Sequence, residues 1–110
     1  MKNYIQPGST LTVIAAAAVT SGQGVLVGRM FGVAATSAAI GEEYELHRCG
    51  VFELPKLEAQ AWTVGQRVYW DDGNSRLTTV ATGNQLVGAV SVPAPDPSPT
   101  GFALLDGTIR

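Results

Sequence analysis

The feature that most constrains this chain is how often it is interrupted. Thirteen glycines and six prolines fall among its 110 residues and cut the apolar stretches into short runs. A helix of average length needs about 12 residues of unbroken 3.6-residue periodicity, and no window of the sequence supplies it. The runs instead read as strands. Thr10 to Ile14 alternates, with Leu11 and Val13 on one face. Gly24 to Val27 and Phe31 to Ala35 follow, with Gly28-Arg29-Met30 as the turn between them. Tyr44 to Cys49 alternates again, and Val51 to Leu54 comes after Gly50. Arg67 to Trp70 and Arg76 to Val80 flank Asp71-Asp72-Gly73-Asn74-Ser75, where Asp-Gly supplies the positive φ that a hairpin turn needs. Gln85 to Val92 and Gly101 to Leu105 complete the set.

Short strands at regular spacing with turn signals between them predict an all-β fold, a small single-domain barrel or sandwich of short antiparallel strands. At most one short helix is expected. Leu57 to Trp62 is its best position, because Pro55 suits the start of a helix, and Ala15 to Ala18 is the weaker one. The length is that of one core, so residues 1–110 are expected to form one β domain. Residues 1–8 then make an N-terminal arm or an edge strand. Residues 93–100, with four prolines, make an exposed and partly polyproline-II connection, because proline cannot donate to a central ladder. The apolar run Leu11 to Val19 after Lys2 mimics a secretion signal, but Pro7-Gly8 interrupts the leader, and a mature strand is expected. The run is also far below the ~20 residues that cross a bilayer, so no membrane partner is expected.

Composition narrows the function. Seven basic residues against nine acidic ones give a net charge of −2, which leaves no basic excess for a phosphate backbone. Nucleic acid is therefore not an expected partner. A single cysteine, Cys49, excludes a disulfide scaffold, and one histidine beside it supplies a metal site poorly. Only 15% of residues are charged, which suits a surface that meets another protein.

The reactive constellations each have an ordinary explanation. His47 and Cys49 alternate onto one face, so a Cys–His pair is conceivable, but a small buried thiol beside a half-exposed imidazole is the expected account. Glu42, Glu43 and Glu45 read as the solvated mouth of a strand. Asp71 to Asn74 lacks the spacing and terminal glutamate of a calcium loop. Gly22 to Gly28 resembles a phosphate-binding glycine loop, but a strand follows it where a helix would be required. Trp62, Tyr69 and Trp70 form either core or interface, or line the pocket of a small ligand-binding β-barrel, which is the alternative reading of the whole chain. No cofactor is implied.

The residues also carry a family resemblance. Met1-Lys2-Asn3-Tyr4-Ile5-Gln6-Pro7-Gly8 and Ala18-Val19-Thr20-Ser21-Gly22-Gln23-Gly24-Val25-Leu26-Val27-Gly28 open the pattern. Phe31-Gly32-Val33-Ala34, Gly41-Glu42-Glu43, Gly50-Val51-Phe52-Glu53-Leu54-Pro55-Lys56 and Gly65-Gln66-Arg67-Val68-Tyr69-Trp70-Asp71 continue it. Leu77-Thr78-Thr79, Val87-Gly88 and a last strand near Leu104 to Gly107 close it. In this order, over nearly the whole chain, they resemble the capsid cement, or head decoration, proteins of tailed phages and prophages. The prolines from Pro93 to Pro99 replace a turn that is usually rich in Ala and Gly.

The resemblance implies a small, β-rich structural protein on the outside of an icosahedral head, with no catalysis. Its implied partners are the major capsid protein and copies of itself, as a dimer or trimer. Its implied location is the capsid surface of a virion, after synthesis in the bacterial host cytoplasm. Two segments are expected to make contacts. Tyr4, Ile5 and Pro7 precede the first strand and suit strand addition to a neighbour. Pro93, Pro95 and Pro97 lie in a stiff and nearly uncharged loop.

Overall fold

The computed structural model of the chain describes residues 8–108. They form nine strands: β1 (Thr10–Ile14), β2 (Gly24–Val27), β3 (Met30–Ala34), β4 (Glu43–His47), β5 (Cys49–Pro55), β6 (Arg67–Asp71), β7 (Arg76–Thr78), β8 (Gln85–Val90) and β9 (Thr100–Asp106). They pair as two antiparallel sheets, one in the order β1-β4-β3-β2 and one in the order β5-β9-β8-β6-β7. The five-stranded sheet curls until Lys56, just past β5, meets Leu77 of β7 in a single parallel bridge. The sheets do not close into a barrel, and the arrangement is that of a sandwich.

No helix occurs among the described residues. At the predicted position after Pro55, the backbone bonds across the molecule instead of along itself. The Lys56 N–H donates to Pro99 O at 3.0 Å and the Leu57 N–H to Leu77 O at 2.9 Å. The alanine run behaves likewise, since Ala15 donates to Glu42 O and Val19 exchanges both hydrogen bonds with Ala38. The stretch expected as one strand from Tyr44 to Cys49 is broken at Arg48, where the chain crosses from one sheet to the other. The Asp71–Ser75 hairpin is present, but its left-handed residue is Ser75, at φ 53°, and not Gly73.

One turn recurs four times. Thr20–Gln23, Ala39–Glu42, Thr63–Gln66 and Ala81–Asn84 each place a glycine third, with φ between 75° and 89°. In each, the fourth N–H closes on the first carbonyl at 3.0 to 3.2 Å. Glycine at the third position is what a type II turn demands. In the first three the fourth side chain reaches back, so that its Oε1 accepts the first N–H at 3.0, 2.7 and 2.9 Å. In the last, Asn84 Nδ2 donates to Val80 O instead. The residue after each turn begins β2, β4, β6 or β8. The glycine sets the reversal and the carboxamide or carboxylate satisfies the donor that the reversal exposes.

The larger core lies inside the curl of the five-stranded sheet, around Trp62, Trp70, Leu54, Val68, Leu77 and Leu105. β3 joins the two sheets because it is buried on both faces. Its Phe31 and Val33 belong to the larger core, while Ala34 belongs to a second cluster with Leu46, Tyr44, Val19 and Ala38. Its run Met30-Phe31-Gly32-Val33-Ala34 is accordingly apolar without alternation. Glycines make room for the rings. A Cβ at Gly24 would sit 2.8 Å from the Trp70 ring, and one at Gly101 would sit 2.3 Å from the Trp62 ring. At Gly88 the obstacle is backbone, since a Cβ there would lie 2.1 Å from Leu104 O.

Two glycine substitutions separate these causes. Gly65→Ala meets nothing within 4 Å and only strains a φ of +89°, so it is expected to cost about 1–2 kcal/mol in urea unfolding. Gly88→Ala forces β8 from β9 and is expected to cost at least about 3 kcal/mol. Equal costs would contradict the assignment of Gly88 to a steric role.

Candidate interaction surface

The proline-rich segment after β8 is pinned from behind. Ala94 and Trp62 exchange both backbone hydrogen bonds, at 2.8 and 3.1 Å. The Ser98 N–H donates to Glu58 O at 3.1 Å, and its hydroxyl donates to Pro95 O at 2.8 Å. The Asp96–Pro97 peptide is cis. The segment is therefore not a free polyproline connection but a loop bonded to residues 56–62. Pro93, Pro95 and Pro97 all face solvent, while Ala94 packs against the core.

Lys56 holds this arrangement. It is only 3% exposed, and its ammonium donates to Leu57 O (2.9 Å), Ser98 O (3.3 Å) and Glu58 O (3.4 Å). It also stands 5.5 Å from the centre of the Trp62 ring, within range of a cation–π attraction. Burial pushes its pKa below the ordinary 10.5, against the opposing pull of the Asp96 and Glu58 charges.

The other expected contact residues, Tyr4, Ile5 and Pro7, lie outside the described residues. Where the described chain begins, Gly8 O accepts from Arg48 Nη1 at 2.5 Å and Ser9 O accepts the Arg48 N–H at 2.8 Å. The same guanidinium donates to Gly107 O, so Arg48 ties the start of β1 and the end of β9 to the crossing between sheets.

A third surface was not anticipated from the sequence. β9 is an interior strand, yet its outward residues Phe102 and Leu104 are 40% and 48% exposed. The ladder sets Val51, Leu104, Ala89 and Arg67 side by side in one row across β5, β9, β8 and β6. Glu53 lies opposite Phe102 in the neighbouring row. The signal was the segment Thr100 to Asp106, whose alternate positions are apolar on both faces.

The reactive candidates are not brought together. His47 ends β4, paired with Thr10 and Val33, while Cys49 begins β5 in the other sheet and, standing on that strand's outward side, is exposed and not the buried thiol expected. Glu42 caps a turn and Glu45 accepts a hydrogen bond from Thr12 Oγ1 at 2.7 Å. Asp71 is occupied by Asn74, whose side-chain hydrogen bond draws its pKa down. Trp62 and Trp70 are core residues, 2% exposed. A cleft of about 310 Å³ runs beside edge strand β2, lined by Ile14, Ala16–Val19 and Gln23–Gly28 instead of by aromatic rings other than Tyr44. Among the described residues no group of three His, Cys, Asp or Glu is placed to hold a metal ion.

Lys56→Met is expected to destabilise the fold by about 1–3 kcal/mol at neutral pH, because buried carbonyls lose their donor. The depressed pKa adds a signature. Between the folded and unfolded values the unfolded chain holds more protons, so the lysine's contribution rises with pH through that window and is constant below the folded value, where both states are protonated. The stability difference between wild type and Lys56→Met should therefore widen in favour of wild type as pH rises towards 10.5, measured by urea unfolding at each pH.

Neither a curated protein nor a solved structure matches the chain. The family model described as phage cement protein matches residues 5–105, which takes in both sheets, the proline-rich loop and the outward face of β9. With a match over nearly its whole length, the chain belongs to the phage cement protein family.

Proposed function

We propose that this protein binds the outer surface of an assembled phage head and cements its capsomers, acting as a structural component and not as a catalyst. The observation that carries this reading is the family match over residues 5–105. Supporting it are a low charge content and exposed apolar residues in several places, features that suit protein contact. In this reading the chain is one β domain of residues 1–110. It is made in the bacterial host cytoplasm, associates with itself, and ends on the virion surface against the major capsid protein.

The mechanism is mass action. A protein that binds the closed shell and not its dissociated parts stabilises the shell by RT ln(1 + [L]/Kd), about 2.7 kcal/mol per site at one hundred times Kd. Packaged DNA presses the capsomers apart, and a bridge across their seams opposes that separation. Linked copies add avidity, so each contact can be weak. Tyr4, Ile5 and Pro7, with Pro93, Pro95 and Pro97, are the contact residues in this proposal. The loop suits the role because Lys56 and Trp62 fix its shape before binding, which lowers the ordering cost.

Heads stripped of the protein are expected to disrupt at a higher temperature once it is added back, and the protein should co-sediment with them. Absence of co-sedimentation overturns the reading. The contact segments are tested separately. Pro93→Glu with Pro95→Glu should leave the melting temperature of the free protein unchanged and weaken head binding by about tenfold or more, equivalent to at least about 1.4 kcal/mol. Deletion of residues 1–8 should change head binding or oligomeric state. Unaltered binding and assembly would remove that segment from the contact surface.

A further inference from the structure

We infer that the outward face of the five-stranded sheet docks a second copy of the same face, about a two-fold axis running parallel to β8 and β9 and between them. This deepens the cement reading, from which the expectation of self-association comes.

The first argument is that β9 is flanked by β5 and β8 and yet presents Phe102 and Leu104 outward. The outer face of a sandwich is ordinarily polar, and a strand apolar on both faces is the pattern of one covered on both. The second is that the row Val51–Leu104–Ala89–Arg67 complements its own reverse. The stated axis turns the row end for end. Each Leu104 then lies over the small Ala89 of the other copy, and each Val51 lies over the aliphatic stem of the other Arg67. Large faces small at the roughly 10 Å separation of packed sheets.

The charges follow the same symmetry. Arg67 on β6 and Glu53 on β5 stand on opposite sides of the patch, on strands three spacings or about 14 Å apart, with Glu53 two residues or about 7 Å further along, where it accepts from Thr100 Oγ1 at 2.8 Å. The axis sets each Arg67 opposite the partner copy's Val51 with that copy's Glu53 one row along, within reach of the long side chain, and it does so twice. A contact between identical surfaces needs such self-complementarity, and this face has it in both size and sign. An unrelated acidic or basic surface would match only one end of the row.

Sedimentation equilibrium and light scattering test the proposal on the full chain. Wild type is expected to be a dimer or an even-numbered assembly. Leu104→Glu, at an exposed position, should halve its mass while the circular dichroism spectrum is kept. Arg67→Glu, at the exposed end of the row, is a second variant that does not touch the core, and should halve the mass likewise. Adding Glu53→Arg to Arg67→Glu restores the pair with its signs exchanged and should restore the dimer, which nonspecific damage would not do. A wild-type monomer, an odd-numbered ring, or variants of unchanged mass would overturn the proposal. Head binding is read in parallel. Wild type that is monomeric yet binds heads defeats this interface alone, whereas wild type that forms the dimer yet does not bind heads defeats the cement reading alone.

Discussion

The contact on which the structure depends is that of Trp70 with the other sheet. Its ring meets Phe31 of β3 at a centroid distance of 4.9 Å, tilted by 44°, and β2 passes over it through Gly24. Trp70 belongs to β6, so one side chain of the five-stranded sheet packs against two strands of the other. Tilted aromatic pairs are favourable beyond the area they bury, and the indole N–H is not stranded, since it donates to Asp72 Oδ1 at 3.0 Å. Docking on this ring buries the second face of β3. The outside of β9 is thereby left exposed.

Two cations inside this framework are held by carbonyls. Arg48 donates to Gly8 and Gly107, and Lys56 donates to Leu57, Glu58 and Ser98. Each binds together segments far apart in sequence: Arg48 the beginning and end of the paired chain, Lys56 the proline-rich loop and the exit of β5. Both cations use the free carbonyls of turns and strand ends for this work. The chain as a whole remains poor in charge, at 15% of its residues.

Most strands were legible because their alternation and their flanking glycines are local properties. Thr10–Ile14 and Gly24–Val27 were read to the residue. The misread places are those where a distant partner decides. Arg48 breaks a continuous alternating run because its side chain is claimed by Gly8 and Gly107. Residues 57–62 do not coil into a helix because their backbone groups are taken by Leu77, Ala94 and Ser98. The repeated turn was readable in principle as Gly followed by Gln, Glu or Asn before an apolar run, but its meaning rests on a side chain that reaches back three residues. Of the surface, the exposed prolines were visible in the sequence. The patch across β5, β9, β8 and β6 was not, because a row of cross-strand neighbours exists only once the register is set.

By itself the sequence determined that the chain would be short antiparallel strands, since its glycines and prolines forbid long helices and its apolar residues alternate. It also carried the ordered segments by which the family is known. Which strands are neighbours, where the chain changes sheet, and which apolar residues stay outside were decided by the tertiary structure. These outcomes depend on rings and cations whose partners lie tens of residues away, and no local pattern encodes such a pairing.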